Sequence, residues 1–280
     1  MSIMYERILI PTDGSQSAEV AARQGAMLAE AFDASIHIIS VVANRTRSER
    51  RGGAQAQDAV STLEERFEQD FDVSCQSVIE QGRPHETILS YSSENDIDLI
   101  VMGTHGRRGL SRALLGSVTE RVLRLSNDPI VAVPPRAIDR DREDYDRILI
   151  PTDGSAAGAA AVDHGVAIAE RVGAAVRVLF VIEGERGLPS LGDPLRNEAV
   201  EAVDTVAERA SDRDITLTTH VQPGTPHKVI NNFVTAHGID LVAMGTHGRS
   251  GLRRHLLGSV TERVLRTSYA PILTVRQDTE

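Results

Sequence analysis

The chain of 280 residues contains one sequence pattern twice. Y-E-R-I-L-I-P-T-D-G-S at residues 5–15 returns as Y-D-R-I-L-I-P-T-D-G-S at residues 145–155. Farther along, residues 102–133 and residues 244–275 are identical at 24 of 32 positions. Any fold proposed for this chain must therefore be one that can be built twice.

Each copy is about 140 residues long, which is too long for a solenoid unit and long enough to bury a core of its own. The sequence therefore predicts two domains of one fold, residues 1–138 and residues 139–280. Between the copies, residues 134–144 are mostly polar and begin with two prolines, which is typical of a linker.

Within the first copy, short apolar runs alternate with segments of helical periodicity. Strands are predicted at residues 8–10, 35–42, 73–79, 97–102 and 130–133. Helices are predicted at residues 16–32, 54–70, 85–94 and 117–125. This alternation predicts an α/β fold in each domain, with a five-stranded parallel sheet, helices on both faces and the doubly wound strand order 3-2-1-4-5.

Composition argues against several classes of protein. A net charge of −10 disfavours a nucleic-acid partner. Lys228 is the only lysine, so the phosphate loop that ends in Gly-Lys is absent. No apolar run approaches the roughly 18 residues that cross a membrane, the N-terminus does not resemble a signal peptide, and Cys75 is the sole cysteine. We therefore expect no membrane contact and a reducing, cytoplasmic location.

The scarcity of lysine beside many acidic residues has two explanations. A negative surface keeps proteins soluble in a high-salt cytoplasm. A GC-rich genome would favour arginine codons over lysine codons in the same way. The sequence is compatible with both.

The two most strongly repeated segments follow the first and fourth predicted strands. P-T-D-G-S follows the first strand, and Gly103-Thr104-His105-Gly106 follows the fourth. In the predicted strand order the chain reverses direction between these two strands, and ligands of open α/β sheets bind in the crevice at that point. We therefore expect a binding site at the carboxyl ends of the first and fourth strands.

A glycine-serine pair completes the second of these segments. Its spacing is G-x-x-G, nine residues and G-S, which ends at Gly116-Ser117 in the first copy and Gly258-Ser259 in the second. Glycines permit positive φ and close approach of the backbone to a ligand. The free amides at a helix start suit phosphate. This spacing predicts a phosphate site made of amides and hydroxyls.

The serines of these pairs also have a purely structural interpretation. Ser117 and Glu120, like Ser259 and Glu262, have the spacing of a capping box, in which the serine caps its own helix. A capping box does not require the upstream glycines, whereas the whole spacing occurs twice. We therefore favour phosphate binding, and the two roles are compatible.

Three further pairs of residues each have a structural and a functional interpretation. Asp13 and Asp153 fit an Asp-Gly turn, or a carboxylate that accepts from ribose hydroxyls or reaches a metal. His105 and His247 fit loop stabilisation or a place in the site. Two arginines of the same loop could reach phosphate or simply remain solvated: Arg107 and Arg249.

With these residues the chain resembles the universal stress protein family, as a tandem two-domain member. The resemblance covers essentially the whole chain and rests on I-L-I-P-T-D-G-S, on the G-x-P turns at Gly82 and Gly224, and on G-T-H-G-R-x-G-L-x-x-x-L-L-G-S-V-T-E-R-V-L-R. The nine-residue spacing before Gly-Ser resembles that of the family's ATP-binding subgroup. The resemblance implies an adenine nucleotide alpha hydrolase-like fold and a cytoplasmic, stress-responsive protein that binds ATP (or AMP or ADP), often with Mg²⁺ or Mn²⁺.

The resemblance also implies which residues bind the nucleotide. By family position, the Pro-Thr-Asp segment contacts adenine and ribose, a valine at the end of the second strand holds adenine through its backbone, and the glycine loop lines ribose and phosphates. The first set is Pro11, Thr12, Asp13, Val41, Met102, Gly103, His105, Gly106, Arg107, Gly116, Ser117 and Val118. The second set is Pro151, Thr152, Asp153, Val181, Met244, Gly245, His247, Gly248, Arg249, Gly258, Ser259 and Val260.

Two of these assignments leave alternatives open. A shift of one residue would exchange Val41 with Val42. Asp13 and Asp153 are metal candidates only through a metal bound to the nucleotide, and the metal's identity is not implied.

No nucleophile–base–acid set recurs in both copies apart from residues already assigned to the ligand. We therefore expect an ATP-binding regulatory protein with little or no turnover and no catalytic residues. The alternatives are a slow ATPase or self-phosphorylating enzyme, and a chaperone-like scaffold in which the nucleotide is structural.

The family also pairs its domains through the last strand. The resemblance implies that residues 129–133 and 271–275 do so within one chain, which would form an intrachain pseudo-dimer and cover two sheet edges. A homodimer of two chains is left open.

Overall fold

The computed structural model describes residues 4–42, 49–106, 115–134, 137, 145–183, 192–246 and 257–276. The chain divides into two compact units, Met4–Arg140 and Asp141–Glu280, and each unit contains one copy of the repeat. The predicted linker lies mostly outside the described residues.

The described part of the first unit alternates five strands with four helices. In chain order these are β1 (Arg7–Pro11), α1 (Gln16–Phe32), β2 (Ser35–Val42), α2 (Glu49–Asp70), β3 (Cys75–Gln81), α3 (Pro84–Glu94), β4 (Leu99–Gly103), α4 (Ser117–Leu125) and β5 (Ile130–Val133). The strands are parallel and lie in the order β3-β2-β1-β4-β5. Since α1 contacts α2 and α3 contacts α4, the two pairs of helices cover opposite faces of the sheet.

The second unit repeats this arrangement. Its elements are β6 (Arg147–Thr152), α5 (Ala156–Val172), β7 (Ala175–Ile182), α6 (Gly192–Ala210), β8 (Leu217–Pro223), α7 (Pro226–His237), β9 (Leu241–Gly245), α8 (Ser259–Thr267) and β10 (Ile272–Val275). Their parallel order is β8-β7-β6-β9-β10. The predicted doubly wound α/β fold is therefore confirmed in both units.

Burial explains why the central strands are apolar on both faces. Leu99, Ile100, Val101 and Met102 of β4 are all buried, as expected for a parallel strand covered by helices on both sides. The edge strand β3 is half exposed, and its residues are more polar.

Element bounds follow the sequence closely where local signals are strong. Helix α1 begins as predicted because the Ser15 hydroxyl accepts from the amide of Ala18 at 3.3 Å, which caps the helix. Strand β3 begins two residues later than predicted, at Cys75, which is its first residue to pair with β2. Helix α2 begins at Glu49 rather than at residue 54, although two glycines lie near its start.

Candidate functional site

The carboxyl ends of β1 and β4 lie side by side in the first unit, where the strand order reverses. Strand β1 ends at Pro11 and leads into Thr12 and Asp13, while β4 ends at Gly103. The fold thus brings together the two most strongly repeated segments of the sequence. This is the crevice in which open α/β sheets bind their ligands.

The segment after β1 is a tight Asp-Gly turn. Gly14 has a φ of 70°, its amide donates to the Thr12 hydroxyl at 3.2 Å, and the amide of Ser15 donates to Oδ1 of Asp13 at 3.0 Å. Asp13 therefore stabilises the Asp-Gly turn, as its structural interpretation predicts. It uses Oδ1, whereas Oδ2 is directed at Gly106, where an added Cβ would lie only 2.7 Å away.

Two glycines of the second segment allow backbone to pack on backbone. A Cβ at Gly103 would lie 2.7 Å from the Ser17 carbonyl oxygen, and a Cβ at Gly116 would lie 2.8 Å from the Thr104 carbonyl oxygen. Neither glycine is among the described residues with positive φ. The glycine spacing predicted positive φ or close approach to a ligand, but the close approach here is to the protein itself.

The start of α4 is held beside the end of β4 by two hydrogen bonds. The amide of Gly116 donates to the carbonyl of Thr104 at 2.7 Å, and the Thr119 hydroxyl donates to the carbonyl of Gly103 at 2.8 Å. This role of the two threonines was not predicted from the sequence. The only signal was their presence in both copies.

The predicted capping box is wrong. Gly116 occupies the cap position and Ser117 is the first helical residue, so the Ser117 side chain does not cap the helix. The first backbone bond of the helix runs from the amide of Glu120 to the carbonyl of Gly116. The amides of Ser117, Val118 and Thr119 therefore have no acceptor inside the helix. Ser117 itself is exposed.

The second unit reproduces this geometry. The Gly258 amide donates to the Thr246 carbonyl at 2.7 Å, and the Thr261 hydroxyl donates to the Gly245 carbonyl at 2.8 Å. Gly258 is again the cap residue and Ser259 the exposed first residue of α8, so the second capping box is wrong as well.

The Asp-Gly turn recurs in the second unit too. Gly154 has a φ of 75°, and the amide of Ser155 donates to Oδ1 of Asp153 at 3.0 Å. Gly245 packs against Ala157, where an added Cβ would lie 2.8 Å from the carbonyl oxygen. Both units therefore present the same backbone cradle.

The backbone groups of Val41 and Val42, at the end of the second strand, point to different neighbouring strands. In a parallel sheet, successive residues direct their backbone groups to opposite neighbours. The carbonyl of Ile39 accepts from the Thr12 amide on the β1 side, and the carbonyl of Val42 accepts from the Gly82 amide on the β3 side. The backbone of Val41 therefore points to the β1 side, beyond the end of β1.

The same alternation holds in the second unit. Ile182 accepts from the amide of Gly224, which is on the β8 side. Val181 therefore points to the β6 side, where β6 has ended at Thr152. In both units it is the earlier of the two candidate residues that faces the crevice.

The remaining predicted residues are placed as follows. Met102 and Met244 are buried, and each is the residue before the last one of its strand. Nδ1 of His105 lies 3.0 Å from the Thr104 hydroxyl, which supports the loop-stabilising interpretation. Four predicted residues lie outside the described part of the chain: Arg107, His247, Gly248 and Arg249.

Two features of the described residues bear on other classes of function. No group of three or more His, Cys, Asp or Glu side chains in them could hold a metal ion. None of the helices they form has the length and apolar character needed to cross a membrane.

Comparison with known proteins agrees with the fold and the repeat. A model of the universal stress protein family matches residues 4–134 and 144–276. A universal stress protein of Mycolicibacterium smegmatis is 26% identical over 294 residues, which cover 96% of this chain and 96% of that protein. Another, from Methanocaldococcus jannaschii, is 36% identical over 141 residues, which cover 48% of this chain and 83% of that protein.

A solved structure shows the same fold over the whole length. The crystal structure of a universal stress protein from Archaeoglobus fulgidus superposes with a TM-score of 0.77 and 21% sequence identity, covering 99% of this chain and 100% of that chain.

Proposed function

Because the chain belongs to the universal stress protein family, we propose that each of its two repeats binds ATP. We further propose that the protein acts as a nucleotide-dependent regulator of a stress response, with little or no turnover. The observation that carries this proposal is the geometry at the start of α4 and of α8. In each, an exposed serine and three helix-start amides lie next to the carboxyl end of the fourth strand of the unit.

The phosphates would be held by backbone amides and hydroxyls. The positive end of a helix and its free amides favour a negative ligand. The lone lysine does not belong to this cradle, because Lys228 lies on α7 and its counterpart in the first copy is Glu86. Ser117 and Ser259, freed from capping, would add a hydroxyl at each site.

The adenine ring would meet the end of the second strand. The backbone of Val41 points into the space beyond the end of β1. There the edge of a ligand can hydrogen-bond to Val41 as a longer β1 strand would. The backbone of Val181 points into the equivalent space beyond β6 in the second unit. Thr12, Asp13 and their counterparts lie across the crevice, where they would contact the ribose.

A Mg²⁺ or Mn²⁺ ion fits this site only when the nucleotide also coordinates it. Asp13 would contribute its carboxylate, of which Oδ1 already accepts from the amide of Ser15. One carboxylate is too few for a dedicated divalent site, which takes about six oxygen ligands. The nucleotide phosphates and water would supply the rest, and Asp153 would act in the same way.

The test is mass spectrometry of the nucleotide released from protein purified without added ligand, followed by equilibrium dialysis with ATP. We expect ATP, with about two molecules bound per chain at saturation. Protein that carries no adenine nucleotide and binds none in dialysis would refute the proposal.

Two further measurements separate the alternative functions. Steady hydrolysis of ATP that vanishes when both sites are disabled would favour the slow-ATPase alternative. Suppression of client aggregation that persists in the disabled protein would favour the scaffold alternative. Pairing of the two final strands, a homodimer and a cytoplasmic location stay predictions.

A further inference from the structure

A group of basic side chains lies in the second unit, at the amino ends of the strands and so at the opposite edge of the sheet from the proposed ATP site. Arg147 begins β6, Arg177 lies near the start of β7, and His220 lies on β8. His237 is the last residue of α7. We refer to Arg147, Arg177, His220 and His237 as the basic cluster.

The sheet register places the strand members of the cluster on one face. Arg177 pairs with Thr218, and Leu149 pairs with Arg177. Because side chains alternate along a strand, Arg147, Arg177 and His220 share the face to which α7 contributes His237. All four are half-buried, so the cluster lies at the surface.

Direct contacts hold the cluster together. A guanidinium nitrogen of Arg177 lies 3.4 Å from Nδ1 of His237, and one of Arg147 donates to the carbonyl of His237 at 3.4 Å. The rings of His220 and His237 have their centroids 6.0 Å apart. Nε2 of His220 lies 3.4 Å from the Thr218 hydroxyl.

The contact with Arg177 assigns a hydrogen-bonding role to each ring nitrogen of His237. A guanidinium can only donate, so Nδ1 of His237 is the acceptor in this contact, and Nε2 is the ring nitrogen that carries the N–H. That N–H is a donor that Arg177 does not use.

The guanidinium groups of the cluster have no ion pair within the part of the chain that the structure describes. No Asp or Glu oxygen there lies within 4.0 Å of a guanidinium nitrogen of Arg147 or Arg177. The nearby carboxylate of Asp240 accepts from the backbone amide of Arg147 at 3.0 Å. The pKa of His220 is lowered from its ordinary value by burial, then by Arg177 and His237, and no acid opposes these causes. This concentration of positive charge stands in a protein whose net charge is −10.

At the equivalent place in the first unit, an acid balances the charge of the arginine. Arg7, the counterpart of Arg147, forms an ion pair with Asp96 at 3.3 Å. The second unit has Gly238 where the first has Asp96. The other counterparts in the first unit carry less positive charge: His37 for Arg177, Val78 for His220 and Asn95 for His237. At this place the second copy therefore lacks the acid of the first copy and has more basic side chains.

We propose that the basic cluster is a binding site for a small phosphate-class oxyanion, separate from the two ATP sites. Arg177 would supply the planar donor pair that matches two phosphate oxygens. The Nε2–H of His237 and the Thr218 hydroxyl would supply further donors, and His220 would bind most strongly when protonated. An anion at this position would relieve the repulsion among the basic groups.

The experiment follows the imidazole NMR signals of the full-length chain during a pH titration, in chloride and in inorganic phosphate at equal ionic strength. The signals of His220 and His237 are assigned with the variants His220→Val and His237→Asn, which carry the residues of the first unit. Phosphate should raise the pKa of His220 by about one unit, because an opposite charge at contact distance favours the protonated ring. Unchanged titration curves in phosphate would overturn the proposal.

A matched substitution tests whether the response belongs to the cluster. Gly238→Asp restores the acid of the first unit at a position where both residues have positive φ, 60° for Gly238 and 47° for Asp96. The phosphate response should be lost in this variant and in Arg177→Gln, and kept in the control Asp96→Gly. A response that survives both Gly238→Asp and Arg177→Gln would refute the site, whatever phosphate does at the ATP sites.

Discussion

The amide of Gly116 and the carbonyl of Thr104 form a 2.7 Å hydrogen bond, and Gly258 and Thr246 form the same bond at the same length. This bond places the first turn of α4 beside the end of β4. It also occupies the Gly116 amide, so the free donors of the helix start are the amides of the next three residues. The geometry of the proposed phosphate site therefore depends on a contact made within the protein.

Replacing Gly116 by alanine should weaken this closure. The new Cβ would lie 2.8 Å from the Thr104 carbonyl oxygen, so the backbone must shift, at a cost of about 1–3 kcal/mol in the free energy of unfolding. Urea unfolding followed by circular dichroism measures this cost. The control is Gly53→Ala in α2, where nothing lies within 4 Å of an added Cβ and stability should rise by about 0.5–1 kcal/mol. Equal effects of the two substitutions on the free energy of unfolding would contradict the close approach of Gly116 to Thr104.

The double variant Ser117→Asp/Ser259→Asp should lose ATP binding without losing stability. A carboxylate at the first helical position favours the helix by about 0.3–1 kcal/mol, but it repels a phosphate at the same amides. Calorimetric titration with ATP should show affinity reduced at least tenfold at each site. The control pair Ser117→Asn/Ser259→Asn has nearly the same size and no charge, and it should bind much more tightly than the aspartate pair.

Val41→Pro should weaken ATP binding while the sheet remains intact. Proline removes an N–H that points beyond the end of β1 and leaves the ladder with β3 in place. Loss of one hydrogen bond to a buried ligand corresponds to about tenfold in affinity. Val42→Pro is the control, because its backbone faces β3, so it should lower the melting temperature more than Val41→Pro does. The reverse order of the two effects would return the adenine contact to Val42.

Asp33→Gly should stabilise the first unit. Asp33 ends α1 with a φ of 56°, in the left-handed region that favours glycine, and its counterpart in the second unit is Gly173 with a φ of 71°. Relief of this backbone strain is worth about 0.5–1 kcal/mol and should appear as a higher urea midpoint. The reciprocal variant, Gly173→Asp, should lower the midpoint. A drop in stability for Asp33→Gly would mean that the aspartate side chain stabilises the cap.

The protein should lose stability in mildly acidic solution. Burial and the nearby Arg7 lower the pKa of His37, and burial, Arg177 and His237 lower the pKa of His220. The folded state therefore binds protons less readily than the unfolded chain, so stability falls as the pH drops below the ordinary value of 6.5 and levels off below the lowered pKa values.

Thermal unfolding at a series of pH values measures this loss. The double variant His37→Gln/His220→Val should show a flatter profile between neutral and mildly acidic pH. An unchanged profile would assign the acid sensitivity to other groups.

Local sequence signals predicted much of the fold because they act over short stretches of chain. The apolar run of β4, the periodicity of α1 and the Ser15 cap each depend on residues close together in sequence. They predicted these elements to within a few residues. Helix α2 was predicted too short, because low helix propensity near Gly52 and Gly53 is overridden in the folded unit.

The sites were harder to predict because their geometry depends on contacts between distant residues. The Ser-x-x-Glu pattern at Ser117 predicted a cap, but the bond from Gly116 to Thr104 moves the cap one residue earlier. The choice between Val41 and Val42 likewise depends on which neighbouring strand each backbone faces. No pattern within β2 contains that information.

The sequence by itself determined the duplication, the α/β alternation and the meeting of two repeated segments at one edge of the sheet, because periodicity and strand order follow from local chemistry. Only the tertiary structure decided which amides are free, which valine faces the crevice, and that Arg177 meets His237, 60 residues farther along the chain. The physical reason is that hydrogen-bond partners and charge balance are properties of atoms brought together in space, and the spacing of residues along one strand or helix does not specify them.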